Sequence, residues 1–304
     1  MAKKNYWTAA EQYIEGVVNG QILACKWVQL ACERAISDLK RSRTAAFPFR
    51  FDVTLADRVC SFIELLPHVK GSKWAGDPIR LQPWQIFILG SVFGWVRKRN
   101  GLRRFRTAYL ELPRKQGKSC LSSAVALYML CEDGEKGAEI YSAATTRDQA
   151  KIIFSDAQQM ARQTPELREH YRLTVNAHNL NVIETGSKFE ALSAEADTLD
   201  GLNTHCALID ELHAHRTRAV FDIIESSTAA RAQPLLWMIT SAGSDRAGIC
   251  YEQRTYVTKI LDRVIEDETY WGIIYTIDSL DNWQDEDSWK KRIRITAFLF
   301  TPTT

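Results

Sequence analysis

From residue 107 onward, short apolar runs alternate with longer stretches of helical spacing, and this alternation limits the fold more than any other feature of the sequence. The apolar runs are 107–112, 139–143, 189–192, 206–210, 235–241 and 271–277. Between them, 119–131, 147–164 and 219–230 place apolar residues at the period of a helix. A strand apolar at nearly every position is buried on both faces, as in a parallel sheet covered by helices. The pattern therefore predicts an α/β fold with a mainly parallel central sheet flanked by helices. Residues 173–175 and 181–184 predict a hairpin inserted in that sheet.

Before residue 107 the pattern is helical. Tyr13, Val17 and Val18, and after Asn19-Gly20 also Ile22, Trp27, Val28, Leu30, Ala31 and Ile36, put helices within 8–40. Residues 47–51 read as an aromatic linker, 55–66 as a helix ending before Pro67, and 83–96 as a buried helix that starts at Pro83. With 304 residues, 45% of them apolar, the chain has material for a sizeable core. The net charge of +2 points to no partner. A local cluster does: Arg97, Lys98, Arg99, Arg103, Arg104 and Arg106 form a basic stripe that suits phosphates or, equally, a solvated loop. The seven cysteines lack zinc-ligand spacing and read as reduced thiols of an intracellular protein. No apolar run is long enough to cross a bilayer, and the N-terminus lacks a signal-peptide core. The expectation is a cytoplasmic chain with no membrane partner.

The chemistry gathers at the ends of the predicted strands. The run 107–112 is followed by Pro113-Arg114-Lys115-Gln116-Gly117-Lys118-Ser119-Cys120, and then by a helix. Strand, loop and helix in that order are what a phosphate-binding loop requires, although Leu112 stands where the usual first glycine would be. Backbone N–H groups and the helix start would hold phosphates, Lys118 would reach the β- and γ-phosphates, and Ser119 would ligate magnesium. Further on, Cys206-Ala-Leu-Ile-Asp-Glu211 delivers two adjacent carboxylates at a strand end. Asp210 suits the magnesium ligand and Glu211 the general base that polarises water. Both features would emerge on one edge of the sheet, where ligands of α/β folds bind. Together they indicate a nucleoside-triphosphate hydrolase.

Weaker candidates accompany these. Thr240 and Ser241 end the 235–241 run and suit hydrogen bonds to a γ-phosphate, or simply a turn. Gln85 in Leu81-Gln-Pro-Trp-Gln can pair with adenine through its amide, whereas Trp84 reads as core. His213 and His215 lack a third metal ligand and read as a polar loop. Glu195, Asp197 and Asp200 read as solvated, and no complete two-metal nuclease set is visible.

The ordered set L-x-P-W-Q, P-R-K-x-G-K-S, S-A-A-T-T-R-D-Q-A (142–150), D-G-L-N (200–203), L-I-D-E-L-H (208–213) and I-T-S-A-G (239–243) resembles the large terminase subunit of tailed double-stranded-DNA phages. The stretch 13–39, with C-K-W-V and C-E-R, and F-R-F-D at 49–52 fit as well. The resemblance implies a P-loop ATPase of the additional-strand, catalytic-glutamate type. Its phosphate loop is deviant in the same way, basic and without the first glycine. It implies that residues 113–120 and Gln85 bind nucleotide and that Lys118 and Ser119 form the Walker A pair. Asp210 becomes the magnesium carboxylate, Glu211 the base, and Thr240, Ser241 and Ala242 the coupling motif. Arg114 becomes a charge-stabilising arginine in cis, with a finger in trans as the other option. The implied cofactors are ATP and Mg2+. The implied partners are double-stranded DNA, a portal protein and a small terminase subunit, in a ring of copies that can be a monomer in isolation, in the bacterial host cytoplasm.

The expected organisation is an N-terminal helical region over 1–75, an ATPase core over 76–262 and the start of a linker over 263–304. The family continues into a metal-dependent nuclease, which this chain is expected to lack. After Lys291 the family reads A-N-P-N-x-G, whereas here Arg292 to Phe300 reads R-I-R-I-T-A-F-L-F. Back-translated and shifted by one base, that stretch permits the family's residues. The expectation is a frameshifted or truncated gene, as in a decaying prophage, with a poorly ordered tail. Two other readings stay open: a remnant that binds nucleotide or DNA without turnover, and a helicase-like ATPase.

Overall fold

In the computed structural model, residues 5–192, 201–215, 217–243 and 245–292 are described. The expectations for Glu195, Asp197, Asp200 and the tail from 293 lie outside them. Helices α1 (Tyr6–Val18), α2 (Lys26–Arg41), α3 (Val53–Ile63) and α4 (Pro83–Gly94) come first, with short strands β1 (Phe49–Phe51) and β2 (Trp95–Arg97) among them. The sheet follows: β3 (Thr107–Glu111), α5 (Lys118–Cys131), β4 (Glu139–Ala143), α6 (Arg147–Gln163), α7 (Pro165–Tyr171), β5 (Leu173–Val175), β6 (Asn179–Val182), β7 (Ser187–Ala191), β8 (Thr204–Asp210), α8 (Ala219–Ser227), β9 (Leu235–Thr240), α9 (Ile249–Leu261) and β10 (Tyr270–Ile274). A last helix, α10 (Glu286–Arg292), lies beyond it.

Among the described residues the strand order is β10-β3-β9-β8-β4-β7-β6-β5. The ladders from β10 to β7 are parallel, and β6 and β5 are antiparallel. The predicted hairpin therefore extends one edge of the sheet rather than entering its middle. Every residue of β8 and β9 is buried, as the apolar runs 206–209 and 235–239 imply, and the polar Thr204 and His205 are buried with them. Helix α5 packs against β4, β7, β8 and β9 and is buried nearly all round. Trp237 of β9 is fully buried, and its indole N–H donates to the Ser122 hydroxyl of α5 at 3.1 Å. A Trp with its polar tip satisfied adds area to a core without a desolvation cost.

The N-terminal helices cover the β10 edge. Tyr13 meets Tyr275 through their hydroxyls at 3.0 Å, and the Cys25 thiol donates to the Ile274 carbonyl at 3.1 Å. Helix α4 lies so close to α1 that a Cβ on Gly90 would sit 2.7 Å from the Trp7 ring, which excludes any larger residue there. Two local expectations change. The segment 47–51 is not a bare linker, because β1 pairs with β2. The helix expected over 83–96 ends at Gly94, where the chain extends into that pairing. All seven cysteines are free, five of them buried.

The basic stripe is also split. Arg97 is half-buried and Lys98, Arg99 and Arg106 are exposed, but Arg103 and Arg104 are buried. The Arg104 guanidinium pairs with Asp38 at 2.8 Å and with Glu268, amid the rings of Phe47, Phe49, Trp95 and Phe105 at 4.5–5.1 Å. Arg103 pairs with Asp133 at 2.6 Å, and His205 Nε2 lies 2.7 Å from the same carboxylate. Burial alone would raise the Asp133 carboxyl, but Arg103 and His205 outweigh it and hold it well below the usual range. A buried pair broken on one side leaves an uncompensated charge, at about 3–5 kcal/mol. Arg103→Met should therefore destabilise the fold by that order in urea melts. Adding Asp133→Asn should recover part of the loss. Full additivity of the two changes would refute the coupling.

Candidate active site

The site forms where β3, β9 and β8 end. β3 runs beyond its last ladder residue, since the Leu112 N–H donates to the Thr240 carbonyl at 2.9 Å and Leu112 is buried. The loop then turns twice through left-handed backbone, at Lys115 (φ 66°) and Gly117 (φ 70°), before α5 begins at Lys118. Such turns curl backbone N–H groups toward a common point, the form of an anion-binding concavity. Gly117 takes this conformation without strain. Lys115 has a Cβ and does not. Glu111, the one acid within the basic stretch, is already committed: it accepts from Tyr109 at 3.0 Å and pairs with Arg254 at 3.1 Å.

Lys118 is buried, with Nζ 3.4 Å from the Pro113 carbonyl. Burial pulls its ammonium below the usual lysine value, against the opposing pull of Glu211 and Asp210. The Ser119 hydroxyl lies 3.5 Å from Asp210 Oδ2. Asp210 is buried at the end of β8 and accepts the Glu211 N–H at 2.8 Å. Glu211 itself has φ 47° and ψ 48°, an uncommon conformation for a residue with a side chain and a source of local strain. Its carboxylate accepts from the Ser241 hydroxyl at 3.1 Å. Thus Ser241, predicted at the γ-phosphate, here holds the predicted base. Ala242 is exposed just beyond.

Some of these groups border a cavity of about 520 Å³, whose lining does not include Asp210, Ser241 or Ala242. Arg114, Lys115, Gly117, Lys118, Ser119, Cys120 and Glu211 line it. Pro113, Gln116 and Gln85 are not among its lining residues, and the Gln85 side-chain carbonyl accepts the Gln82 N–H at 2.9 Å, as part of the cap on α4. Sequence reasoning missed two contributors. Around Cys120 the lining continues with His68, Val69, Lys70, Ile152 and Asp156, where Lys70 pairs with the buried Asp156 at 2.6 Å. The other is His213, within the 3-10 turn Leu212–Ala214, which lies 3.1 Å from both Glu211 and Thr240. The only sequence signal for it was its place one turn past the two carboxylates.

A carboxylate and a hydroxyl, Asp210 and Ser119, are hard oxygen donors that fit magnesium. Among the described residues no group of three or more His, Cys, Asp or Glu can hold a metal. A magnesium ion would therefore take its other ligands from phosphate and water.

A family described as terminase large subunit, ATPase domain, matches residues 83–259. The terminase large subunit of Enterobacteria phage HK97 is 29% identical over 200 residues, 65% of this chain and 38% of that protein. Protein YmfN of Escherichia coli strain K12 is 42% identical over 86 residues, 28% of this chain and 19% of that protein. The crystal structure of the HK97 bacteriophage large terminase superposes with a TM-score of 0.65 at 26% identity, covering 78% of this chain and 47% of that one. The chain thus spans less than half the length of each.

Burial, with the neighbouring Glu211 carboxylate, raises the Asp210 carboxyl from 3.8 to about 6. The native state therefore holds a proton between about pH 4 and 6 that the unfolded chain releases, so stability falls as pH rises through that window. At about 1.4 kcal/mol per pKa unit, the ionised carboxylate costs on the order of 2–3 kcal/mol above pH 6. Without nucleotide or metal, Asp210→Asn should melt several degrees above the parent chain at pH 8 and near it at pH 4. Equal melting temperatures at pH 8 would show that this carboxylate is not under electrostatic load.

Proposed function

The chain belongs to the terminase large-subunit ATPase family, and from that premise we propose that it is the ATP-hydrolysing domain of a motor that packages double-stranded DNA. The observation that supports this reading is the meeting of Lys118, Ser119 and Glu211 at one cavity, with Asp210 3.5 Å from the Ser119 hydroxyl and Ser241 holding Glu211 from the neighbouring strand.

In this reading the phosphates of ATP lie against the left-handed loop and the start of α5, where backbone N–H groups and the helix dipole favour anions. Lys118 leaves the Pro113 carbonyl for the β- and γ-oxygens. Its lowered pKa reflects an ammonium stripped of water, which recovers the missing partner when phosphate arrives. Asp210 and Ser119 would hold a magnesium ion, which would neutralise phosphate charge when bound. Glu211 accepts the proton of the attacking water as the bond to the γ-phosphorus forms. Arg114 and Lys115, both exposed and lining the cavity, are placed to meet the charge that spreads over the γ-phosphate oxygens. The base is assigned to the end lined by His68, Lys70 and Asp156. Gln85 would have to release Gln82 to reach it. Hydrolysis removes the γ-phosphate from the edge where Ser241 and Glu211 meet, and that change is passed along β9 and the residues after it. Portal protein, small terminase subunit and a ring of copies belong to the same proposal.

Two substitutions test it. Lys118→Ala should abolish ATP binding in calorimetry. Glu211→Ala should bind ATP as the parent chain does while phosphate release falls by about 10²–10⁴, the usual worth of a general base. Normal hydrolysis by Glu211→Ala would place the base elsewhere.

A further inference from the structure

The ring of His213 lies between the two halves of this site. The Thr240 hydroxyl has one hydrogen, and it goes to the Ser241 carbonyl at 2.9 Å. Its oxygen then accepts from the backbone N–H of His213 at 3.1 Å and faces the ring Nδ1 at 3.1 Å, with the Cys250 thiol at 3.9 Å a longer, weaker donor to it. An acceptor opposite Nδ1 requires a hydrogen on that nitrogen. Glu211 Oε2 lies 3.1 Å from the same atom, and a lone pair there would face a carboxylate. Hydrogen count and electrostatics select one tautomer.

The surroundings are shaped for this ring. Leu212 beside it is fully buried and anchors the turn. A Cβ on Gly243 would come 2.7 Å from the His213 Cβ, so only glycine leaves room for the turn to pack against the end of β9. Glu211 therefore accepts from the Ser241 hydroxyl and has the His213 Nδ1 3.1 Å from the same carboxylate oxygen. Both are tied to one strand end, Ser241 by sequence and His213 through Thr240.

We propose that His213, as its Nδ1–H tautomer, is a positioning residue. It fixes the Glu211 carboxylate for attack and links it to the end of β9. The proposal rests on the reading of Glu211 as the general base. The Nδ1–H is directed at Thr240, with Glu211 Oε2 3.1 Å from the same nitrogen, so a rotation of the ring would turn the hydrogen from one oxygen toward the other. The position of the β9 end and the readiness of the base then change together. His213 moves no proton to substrate in this scheme. It acts through Glu211.

The amide nitrogen of Asn can stand where Nδ1 stands, whereas that of Gln reaches the place of Nε2. With ATP as the probe, His213→Ala and His213→Gln should lower kcat roughly ten- to hundredfold, the worth of one hydrogen bond to a charged group. The nucleotide Kd should stay within about threefold, which also shows that the variants fold. His213→Asn should restore kcat toward the parent value. In the nucleotide-free parent chain, long-range 1H–15N spectra should report hydrogen on Nδ1. An unchanged kcat in His213→Ala, an equal loss in all three variants, or hydrogen on Nε2 alone overturns the proposal. If the parent chain and Lys118→Ala hydrolyse ATP at one background rate, the ATPase reading itself falls, and this proposal falls with it.

Discussion

The ladder that joins β3 to β9 and β9 to β8 sets Glu111 opposite Thr240 and Asp210 opposite Ile239. Three strands running the same way in this register end together. The phosphate loop, the acid pair and the Thr240-Ser241 step are thereby brought to one edge, though they come from distant parts of the chain. Side chains alternate faces along a strand, so a slip of one residue would move Asp210 and Thr240 to opposite sides from their partners. The apolar runs 206–209 and 235–239 prevent that slip, because a shift would pull buried Leu208, Ile209, Met238 and Ile239 out of step with the helices on either face. The site's geometry is a consequence of core packing several residues away from it.

The edge itself is electrostatically poor, and this suits its chemistry. Asp210 and Glu211 are adjacent acids, one of them buried, and Lys118 is the nearby cation that draws on both. Glu211 and Lys115 both adopt left-handed backbone. Strain and unmatched charge lower stability, and in the proposed function a bound cation would offset the charge of the two acids. Away from this edge the chain does the reverse. Arg103 with Asp133 and Arg104 with Asp38 and Glu268 are paired buried charges that hold the other end of the sheet and the N-terminal helices in place. Stability concentrated at one end lets the other be selected for ligand.

What could be read from the sequence follows the range of the interactions involved. The parallel sheet was legible because burial on both faces leaves a local mark, an apolar run. The Lys118, Asp210 and Glu211 positions were legible because a strand end and a few polar residues suffice to place them. Arg103 and Arg104 were not. Their acidic partners lie far along the chain, so a run of basic residues looked like a surface. His213 was read as part of a polar loop, and its contact with Thr240 was hidden for the same reason, since only the β8–β9 pairing brings Thr240 near. The Ser241 contact with Glu211 belongs to the same class. In each case the residue type was visible and the neighbour was not.

The loop without its first glycine has a physical explanation in these terms. Glycine at that position would let the backbone turn early. Here Leu112 is buried and its N–H extends the β3–β9 pairing by one residue, so a side chain is needed for the core and an extended backbone for the ladder. The turn is deferred to Lys115 and Gly117. Left-handed backbone at a residue with a side chain costs on the order of 1–2 kcal/mol, and the sequence accepts that cost at Lys115 although glycine would avoid it. Lys115 lines the cavity, and in the proposed function its cationic side chain would offset that cost by attracting triphosphate when ligand is present. Flexibility in the usual loop is thus exchanged for a strand that stays paired longer and a turn that carries charge.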